Sequence, residues 1–266
     1  MPPDDVEALA AALAREGFIA ANEEAVELIA AAEGDVELLD GLLARRLTGE
    51  PLAWITGRVT FCDIEVRVDP GVYVPRWHSE QLAHRAIARL PANGVAIDLC
   101  TGSGAIARTL MANRPDAHVV ASDVDPRAVA CAEANGVEAY CGDLFAPLPR
   151  DIDGRVDVVV AVVPYVPTDE LPLLQRDTFT FETPLSYDGG SDGTDILRRV
   201  VSESTRFLRP GGALLLELGG DQASALSADL SRHNYVDVDV LVDEEGDARG
   251  IAVTYGPPAP AKPARC

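Results

Sequence analysis

The stretch Val95-Ala-Ile-Asp-Leu-Cys-Thr-Gly-Ser-Gly-Ala-Ile-Ala107 constrains this chain more than any other. Val95 to Leu99 reads as a parallel strand covered on both faces. Gly102 and Gly104 then allow a sharp turn and a close approach of backbone to a ligand. A helix from about Ala105 to Asn113 follows, its N-terminal amides aimed at the crevice. A second short apolar strand, His118-Val-Val-Ala-Ser-Asp123, ends in a carboxylate 25 residues after Asp98. That is about one βαβ repeat, the spacing at which an acid grips a ribose diol. The two strands predict a doubly wound α/β sheet with a nucleotide-type ligand at the strand ends. A purely structural glycine turn shares the local pattern.

The loop reads Asp98-x-Cys-x-Gly-x-Gly, not the Gly-x-Gly-x-x-Gly of dinucleotide binders. A carboxylate at the strand end repels a pyrophosphate and attracts a cationic group. S-adenosylmethionine offers a sulfonium and an ammonium together with ribose and adenine, so a methyl donor is favoured over NAD.

Charge narrows the partners. The net charge of −21, from 22 basic and 43 acidic residues, opposes binding to a phosphate backbone, and a nucleic-acid substrate is disfavoured. Basic proteins or cationic small molecules are easier partners. No apolar run of about 18 residues predicts a membrane span. The N-terminus lacks a basic segment followed by an apolar one, so a cytoplasmic protein is expected. Cys62, Cys100, Cys131, Cys141 and Cys266 have no Cys-x-x-Cys spacing, and the four histidines are scattered. Reduced thiols and no metal site are expected.

Residues 1–56 carry apolar positions at helical spacing and breaks near Gly17 and Gly34, predicting three or four amphipathic helices. This small domain suits substrate docking or homodimerisation. Gly49 to Gly57 reads as a connector with a buriable Trp54, and residues 57–80 as a β-hairpin and linker in which Phe61 to Val68 is a strand. Residues 81–256 form the α/β domain, and 257–266, with four prolines, read as a disordered tail. Further strands are expected at Glu138–Tyr140, Val156–Val162 and Pro210–Leu218, closed by a hairpin of Tyr235–Val242 and Gly250–Tyr255. Helices are expected from Ser79 to Leu90 with Ser79 as N-cap, and over Pro126–Asn135, Thr194–Leu208 and Gln222–Asn234.

Several polar residues are candidates for the site. Arg76 either pairs with Glu80 on the surface or lines the mouth of the cleft as a substrate contact. Asp143, just past the third strand, accepts from an adenine amino group or is a turn residue. The long loop Phe181 to Gly193 carries Glu182, Asp188 and Asp192. Carboxylates grip a guanidinium in bidentate fashion, and one of them is a candidate general base. A solvated acidic loop reads equally well.

Taken together, the chain from the N-terminal helices to Tyr255 resembles the protein-(glutamine-N5) methyltransferases of the release-factor methyltransferase (HemK/PrmC) type. The carriers are Pro51-Leu-Ala-Trp-Ile-Thr-Gly57, Val74-Pro-Arg-Trp-His-Ser-Glu80, Asp98-Leu-Cys-Thr-Gly-Ser-Gly104, Asp123, Gly142-Asp-Leu-Phe145, Val163-Pro-Tyr165, Asp188-Gly-Gly-Ser-Asp-Gly193 and Pro210-Gly-Gly212. It resembles a divergent actinobacterial paralogue of that family. The resemblance implies a Rossmann-like class I methyltransferase fold, a seven-stranded mostly parallel sheet with a small N-terminal helical domain and a connecting β-hairpin. It also implies S-adenosylmethionine as cofactor and S-adenosylhomocysteine as product. Asp98, Thr101, Gly102, Gly104, Asp123, Asp143, Leu144 and Val162 would contact the cofactor.

Departures fall on the acceptor side. The family's Asn-Pro-Pro-Tyr loop, whose Asn side chain and a prolyl carbonyl hold the acceptor amide, is here Val162-Val-Pro-Tyr165. Cys100 replaces a motif glycine, Trp77-His78-Ser79 stands for Pro-Glu-Thr, and Glu182-Thr-Pro184 loosens a Glu-Pro pair. Tyr165 and the backbone carbonyls of Val163 and Pro164 remain as catalytic candidates beside Glu182, with Arg76, Asp188 and Asp192 binding the acceptor. The expectation is an N-methyltransferase retargeted to a small cationic nitrogen acceptor, such as the guanidino group of free arginine. Retention of a protein glutamine substrate is the alternative, and a non-catalytic cofactor-binding protein the second.

Overall fold

A computed structural model describes residues 3–174 and 180–256; the expected disordered tail, 257–266, lies outside them. Four helices open the chain: α1 (Pro3–Arg15), α2 (Ala21–Ala31), α3 (Val36–Leu47) and α4 (Leu52–Thr56). They bury one apolar cluster around Leu13, Ala25 and Leu28, each fully shielded from solvent. Asp35 caps α3 by accepting from the Leu38 N–H at 3.0 Å. The Gly49–Gly57 segment is not a bare connector: α4 begins just after Pro51 and stops at Gly57, where φ is +76°. Trp54 is buried there and donates its indole N–H to the Val72 carbonyl at 2.8 Å.

The hairpin differs from the expected strand over Phe61 to Val68. Strands β1 (Arg58–Phe61) and β2 (Ile64–Arg67) pair antiparallel, with Phe61 opposite Ile64. Cys62 and Asp63 form the two-residue turn, both at positive φ (48° and 60°). Such paired positive angles match the twist of a tight hairpin, and Asp tolerates them. Alternation of side chains ran through a turn that carries no glycine to mark it.

The α/β domain is built from α5 (Glu80–Arg89), β3 (Val95–Leu99), α6 (Ala105–Asn113), β4 (His118–Asp123), α7 (Pro126–Ala134), β5 (Glu138–Cys141), β6 (Val156–Ala161), α8 (Asp195–Glu203), β7 (Leu208–Glu217), α9 (Gln222–Ala225), α10 (Ser227–Arg232), β8 (Tyr235–Val242) and β9 (Ala248–Tyr255). The seven-stranded sheet runs β5-β4-β3-β6-β7-β9-β8. Strands β3 to β7 are parallel, and β9 is antiparallel to both neighbours. All six residues of β6 are buried. Val158 and Val160 pack with Leu82, Ile106 and Leu110 on one face, while Val159 and Ala161 pack with Leu197, Val200 and Leu230 on the other. Burial of each such side chain contributes roughly 1.5–3 kcal/mol. That explains why this strand was legible as a continuous apolar run.

Boundaries shift where local chemistry competes. The helix expected over Thr194–Leu208 ends at Glu203, because the Ser204 hydroxyl bonds back to the Val200 carbonyl at 2.6 Å and to the Tyr235 hydroxyl. Strand β7 starts two residues before the expected turn at Pro210: Leu208 pairs with Val156 and Ala213 with Val158, so the Pro-Gly-Gly segment bulges within the strand. The helix expected over Gln222–Asn234 divides at Leu226 into α9 and α10. Ser79 caps nothing; it sits in a 3-10 turn and its hydroxyl reaches Glu217 instead.

Candidate active site

The reversal of strand order between β3 and β6 opens a crevice outside the carboxyl ends of the parallel strands, where such sheets bind ligands. A cleft of about 840 Å³ lies there, a volume suited to a cofactor and an acceptor group together. Asp98, Cys100, Thr101, Gly102 and Ser103 line its floor, Asp123 to Asp125 one end, and Val162 to Val166 the other.

Asp98 is 2% exposed and accepts from the Thr101 hydroxyl at 2.6 Å and the Ala107 N–H at 3.1 Å. Burial pushes its carboxyl up to about 7, against those two hydrogen bonds. Asp123 accepts from the Gly102 and Asp125 N–H groups, and burial raises its carboxyl as well. Neither has a cationic partner among the described residues. The Ser103 hydroxyl, buried in the same wall, has no hydrogen-bond partner among them. Two unpaired carboxyls, an orphan hydroxyl and the amides opening α6 fit a ligand carrying cationic, diol and carboxylate groups. S-adenosylmethionine carries all three.

Two positions of the first motif are constrained by the backbone. Gly104 is required by packing: at φ +80° its Cβ would lie 3.0 Å from the Ala132 Cβ and the Val137 Cγ2. Cys100 holds a left-handed backbone, φ +54°, that glycine adopts without strain. Burial, reinforced by Asp123 and Asp98, keeps its thiol protonated well above the ordinary range.

The acceptor end is held by the segment after β6. The Val166 N–H donates to the Tyr187 carbonyl at 2.8 Å, and the Gly189 N–H to the Val166 carbonyl at 2.9 Å. The Tyr165 hydroxyl donates to Glu217 Oε1 at 3.1 Å, and its backbone carbonyl accepts from Gln222 Nε2 at 2.7 Å. Burial, with Glu217 beside it, holds the Tyr165 phenol far above its usual value. The Pro164 carbonyl packs on Gly189, where a Cβ would come within 2.8 Å. Among the described residues the Val163 carbonyl accepts no hydrogen bond.

Arg76 pairs with Glu182 and not with Glu80, which accepts from the Cys62 N–H. The Arg76–Glu182 contact is 2.6 Å, and the Glu182 carboxylate also accepts from the Val74 N–H at 3.1 Å and from the Tyr187 hydroxyl. Burial opposes the charge on Arg76, yet Glu182 and the phenols of Tyr73 and Tyr187 hold its pKa above the usual guanidinium value. Both Glu182 oxygens are engaged by protein donors, so the candidate general base is here a member of a hydrogen-bonded pair.

Of the other candidates, Asp143 forms an exposed pair with Arg199 at 2.9 Å, and Leu144 is buried with its carbonyl accepting from Ser122. Neither lines the cleft. Asp188 accepts from the Thr168 hydroxyl at 2.7 Å and the Gly190 N–H, while Asp192 accepts from both the Thr194 N–H and hydroxyl. These two acids stabilise their own loop and stay outside the cleft. Sequence reasoning missed Tyr73, Ser103, Tyr187 and Glu217. Glu217 left a signal: a lone acid closing the apolar strand Ala213-Leu-Leu-Leu-Glu217.

A sheet of this order with paired acids at the ends of β3 and β4 defines an S-adenosylmethionine-dependent methyltransferase, and the comparisons agree. The family model described as "Methyltransferase small domain" matches residues 64–161. A solved methyltransferase of Pyrococcus furiosus superposes with TM-score 0.54 at 18% identity, over 82% of this chain and 99% of that one. The release factor glutamine methyltransferase of Geobacter sulfurreducens is 36% identical, covering 81% of this chain and 77% of its own. That of Moorella thermoacetica is 38% identical, covering 90% and 86%. This chain belongs to the release factor glutamine methyltransferase family.

Proposed function

We propose that this enzyme transfers the methyl group of S-adenosylmethionine to the side-chain amide nitrogen of a glutamine in a protein of the release-factor kind. The observation that carries the reading is the state of the acids at the acceptor end. Glu182 is neutralised by Arg76, and Asp188 and Asp192 lie outside the cleft. A guanidinium acceptor, the first expectation, finds no unpaired carboxylate to grip it among the described residues lining that end of the cleft. A neutral amide needs only hydrogen-bond acceptors, and the relatives are named for that substrate.

Methyl transfer from a sulfonium is an in-line displacement in which positioning and exclusion of water dominate. The cofactor supplies the electrophilic methyl group. Asp98 and Asp123 hold its cationic and diol parts. An amide lone pair is delocalised, so the site must turn the nitrogen and accept from its N–H groups. Val162 offers no polar side-chain atom in place of the family's Asn, which leaves the backbone carbonyls of Val163 and Pro164, neither of which accepts a hydrogen bond among the described residues.

The test is intact-mass measurement of a bacterial release factor after incubation with the enzyme and S-adenosylmethionine. A gain of one CH₂, absent when the acceptor glutamine is replaced by glutamate, is expected. An unchanged mass alongside methylated free arginine would return the account to the cationic acceptor. Cofactor binding with no acceptor methylated would favour the non-catalytic reading.

A further inference from the structure

Glu217 ends β7 with a side chain 2% exposed to solvent. Its Oε2 accepts from the Ser79 hydroxyl at 2.5 Å, and its Oε1 accepts from the Tyr165 hydroxyl at 3.1 Å. His78 Nε2 lies 3.4 Å from Oε1. No arginine or lysine pairs with it among the described residues. A buried carboxylate held by two neutral hydroxyls and one imidazole is a poor device for stability, since an apolar residue there avoids the desolvation penalty. Such groups are retained where chemistry needs them.

What this acid holds is specific. Tyr165 is gripped at both ends from the exit of β7: Glu217 takes its hydroxyl, and Gln222, whose own Oε1 accepts from the Gly219 N–H at 3.0 Å, donates to its backbone carbonyl. Gly219 packs against the ring itself, where a Cβ would sit 3.9 Å from Tyr165 Cε2. On its other side Glu217 ties Ser79, and with it the segment Trp77 to Ser79 that lines the same cleft.

We propose that Glu217 is a positioning residue for methyl transfer, fixing the Tyr165 ring and the 77–79 segment in one arrangement at the acceptor end of the cleft. It is not among the residues that line the cleft; it acts through Tyr165 and Ser79. A glutamine has the same shape but one acceptor oxygen, so it serves one hydroxyl as acceptor and forces the other to turn.

The experiment compares wild type with Glu217→Gln, Tyr165→Phe and the double variant, using a glutamine-containing release-factor peptide as rate probe. That probe rests on the acceptor reading above, so a second readout independent of it is the ring-carbon resonance of Tyr165 in ¹³C-tyrosine-labelled protein. Glu217→Gln is expected to slow turnover roughly 10- to 100-fold, with cofactor affinity and melting temperature near wild type and the Tyr165 resonance shifted. Glu217→Gln is expected to slow the Tyr165→Phe background less than it slows wild type, because only the Ser79 contact is left to lose. Turnover and melting temperature falling together, failure of Glu217→Gln to fold, equal slowing of both backgrounds, or an unmoved Tyr165 resonance would each overturn the proposal. If wild type leaves the peptide unmethylated, the acceptor reading fails, while the resonance and the melting temperature still decide the role of Glu217.

Discussion

Arg76 and Glu182 stand 106 residues apart in the chain and meet in a 2.6 Å ion pair that joins the segment after the hairpin to the loop before α8. Glu182 is almost fully buried, with a side chain 3% exposed, whereas the Arg76 side chain keeps 35% of its surface. Removing one member strands the other without its partner, which is worse than removing both. Arg76→Ala should therefore destabilise the fold by roughly 3 kcal/mol, the low end of the range because the guanidinium is one-third exposed. The double variant with Glu182→Leu should lose less. Chemical denaturation of the three variants decides it: additive losses would mean the pair is not coupled.

The same pair alters what Glu182→Gln should do. A general base loses turnover at constant stability; a pairing residue loses both. Melting temperature measured beside turnover separates them, and the geometry predicts that both fall.

Asp98 gives a pH dependence with a defined sign. Burial raises its folded pKa to about 7, above the unfolded carboxyl near 4, so the folded chain binds more protons in that interval. This contribution to stability is full below about pH 4 and is lost as pH rises through about 7. Asp123 shifts in the same direction. Asp98→Asn should flatten the fall in melting temperature between pH 5 and 8. A cationic ligand favours the ionised form, so S-adenosylmethionine should bind wild type more tightly at pH 8 than at pH 6. Proton release, read by calorimetry in buffers of different ionisation enthalpy, is the check; equal affinity at both pH values contradicts it.

Gly193 isolates the acceptor half. At φ +72° a Cβ there would collide with the Tyr165 backbone carbonyl and with the Gln222 side-chain amide that bonds to it. Gly193→Ala should displace the Tyr165 loop and reduce turnover by roughly 100-fold, the effect of an ångström-scale misplacement. The Asp98–Asp123 end is remote from that collision, and cofactor affinity should stay within about threefold. Parallel loss of both would contradict the division of the cleft.

Val162 offers a gain-of-function test. Val162→Asn adds a side-chain carbonyl acceptor to the backbone carbonyls of this loop, and one hydrogen bond is worth about 1 kcal/mol. Turnover on a glutamine peptide should rise roughly fivefold. A fall would show that the apolar side chain is required.

How much of this was legible in the sequence follows from the range of the interactions. β6 is a run of β-branched residues packed on both faces, and its local composition alone announces it. Asp123 accepts from the Gly102 N–H across strand ends that the βαβ repeat holds in register with Asp98, so the spacing in the sequence already brought these residues to one crevice. The roles of the acids in the 181–193 loop were not legible because sequence gives side-chain type without partner. Glu182 looks free until Arg76 arrives from a distant segment, and Asp188 and Asp192 look free until Thr168 and Thr194 take them. Glu217 was passed over since its partners, Ser79 and Tyr165, lie 138 and 52 residues away. The hairpin turn at Cys62-Asp63 hid inside an alternating pattern for want of a glycine.

The central claim is that the methyl group goes to an amide nitrogen, and the bond it forms can be identified chemically. Labelled S-adenosylmethionine, the enzyme and a release factor would be incubated together, and the labelled protein hydrolysed in hot acid. An N-methyl amide hydrolyses to glutamate and methylammonium, so the label is predicted to distil as methylamine once the hydrolysate is made basic. Label retained in a methylated arginine or lysine after hydrolysis would contradict it.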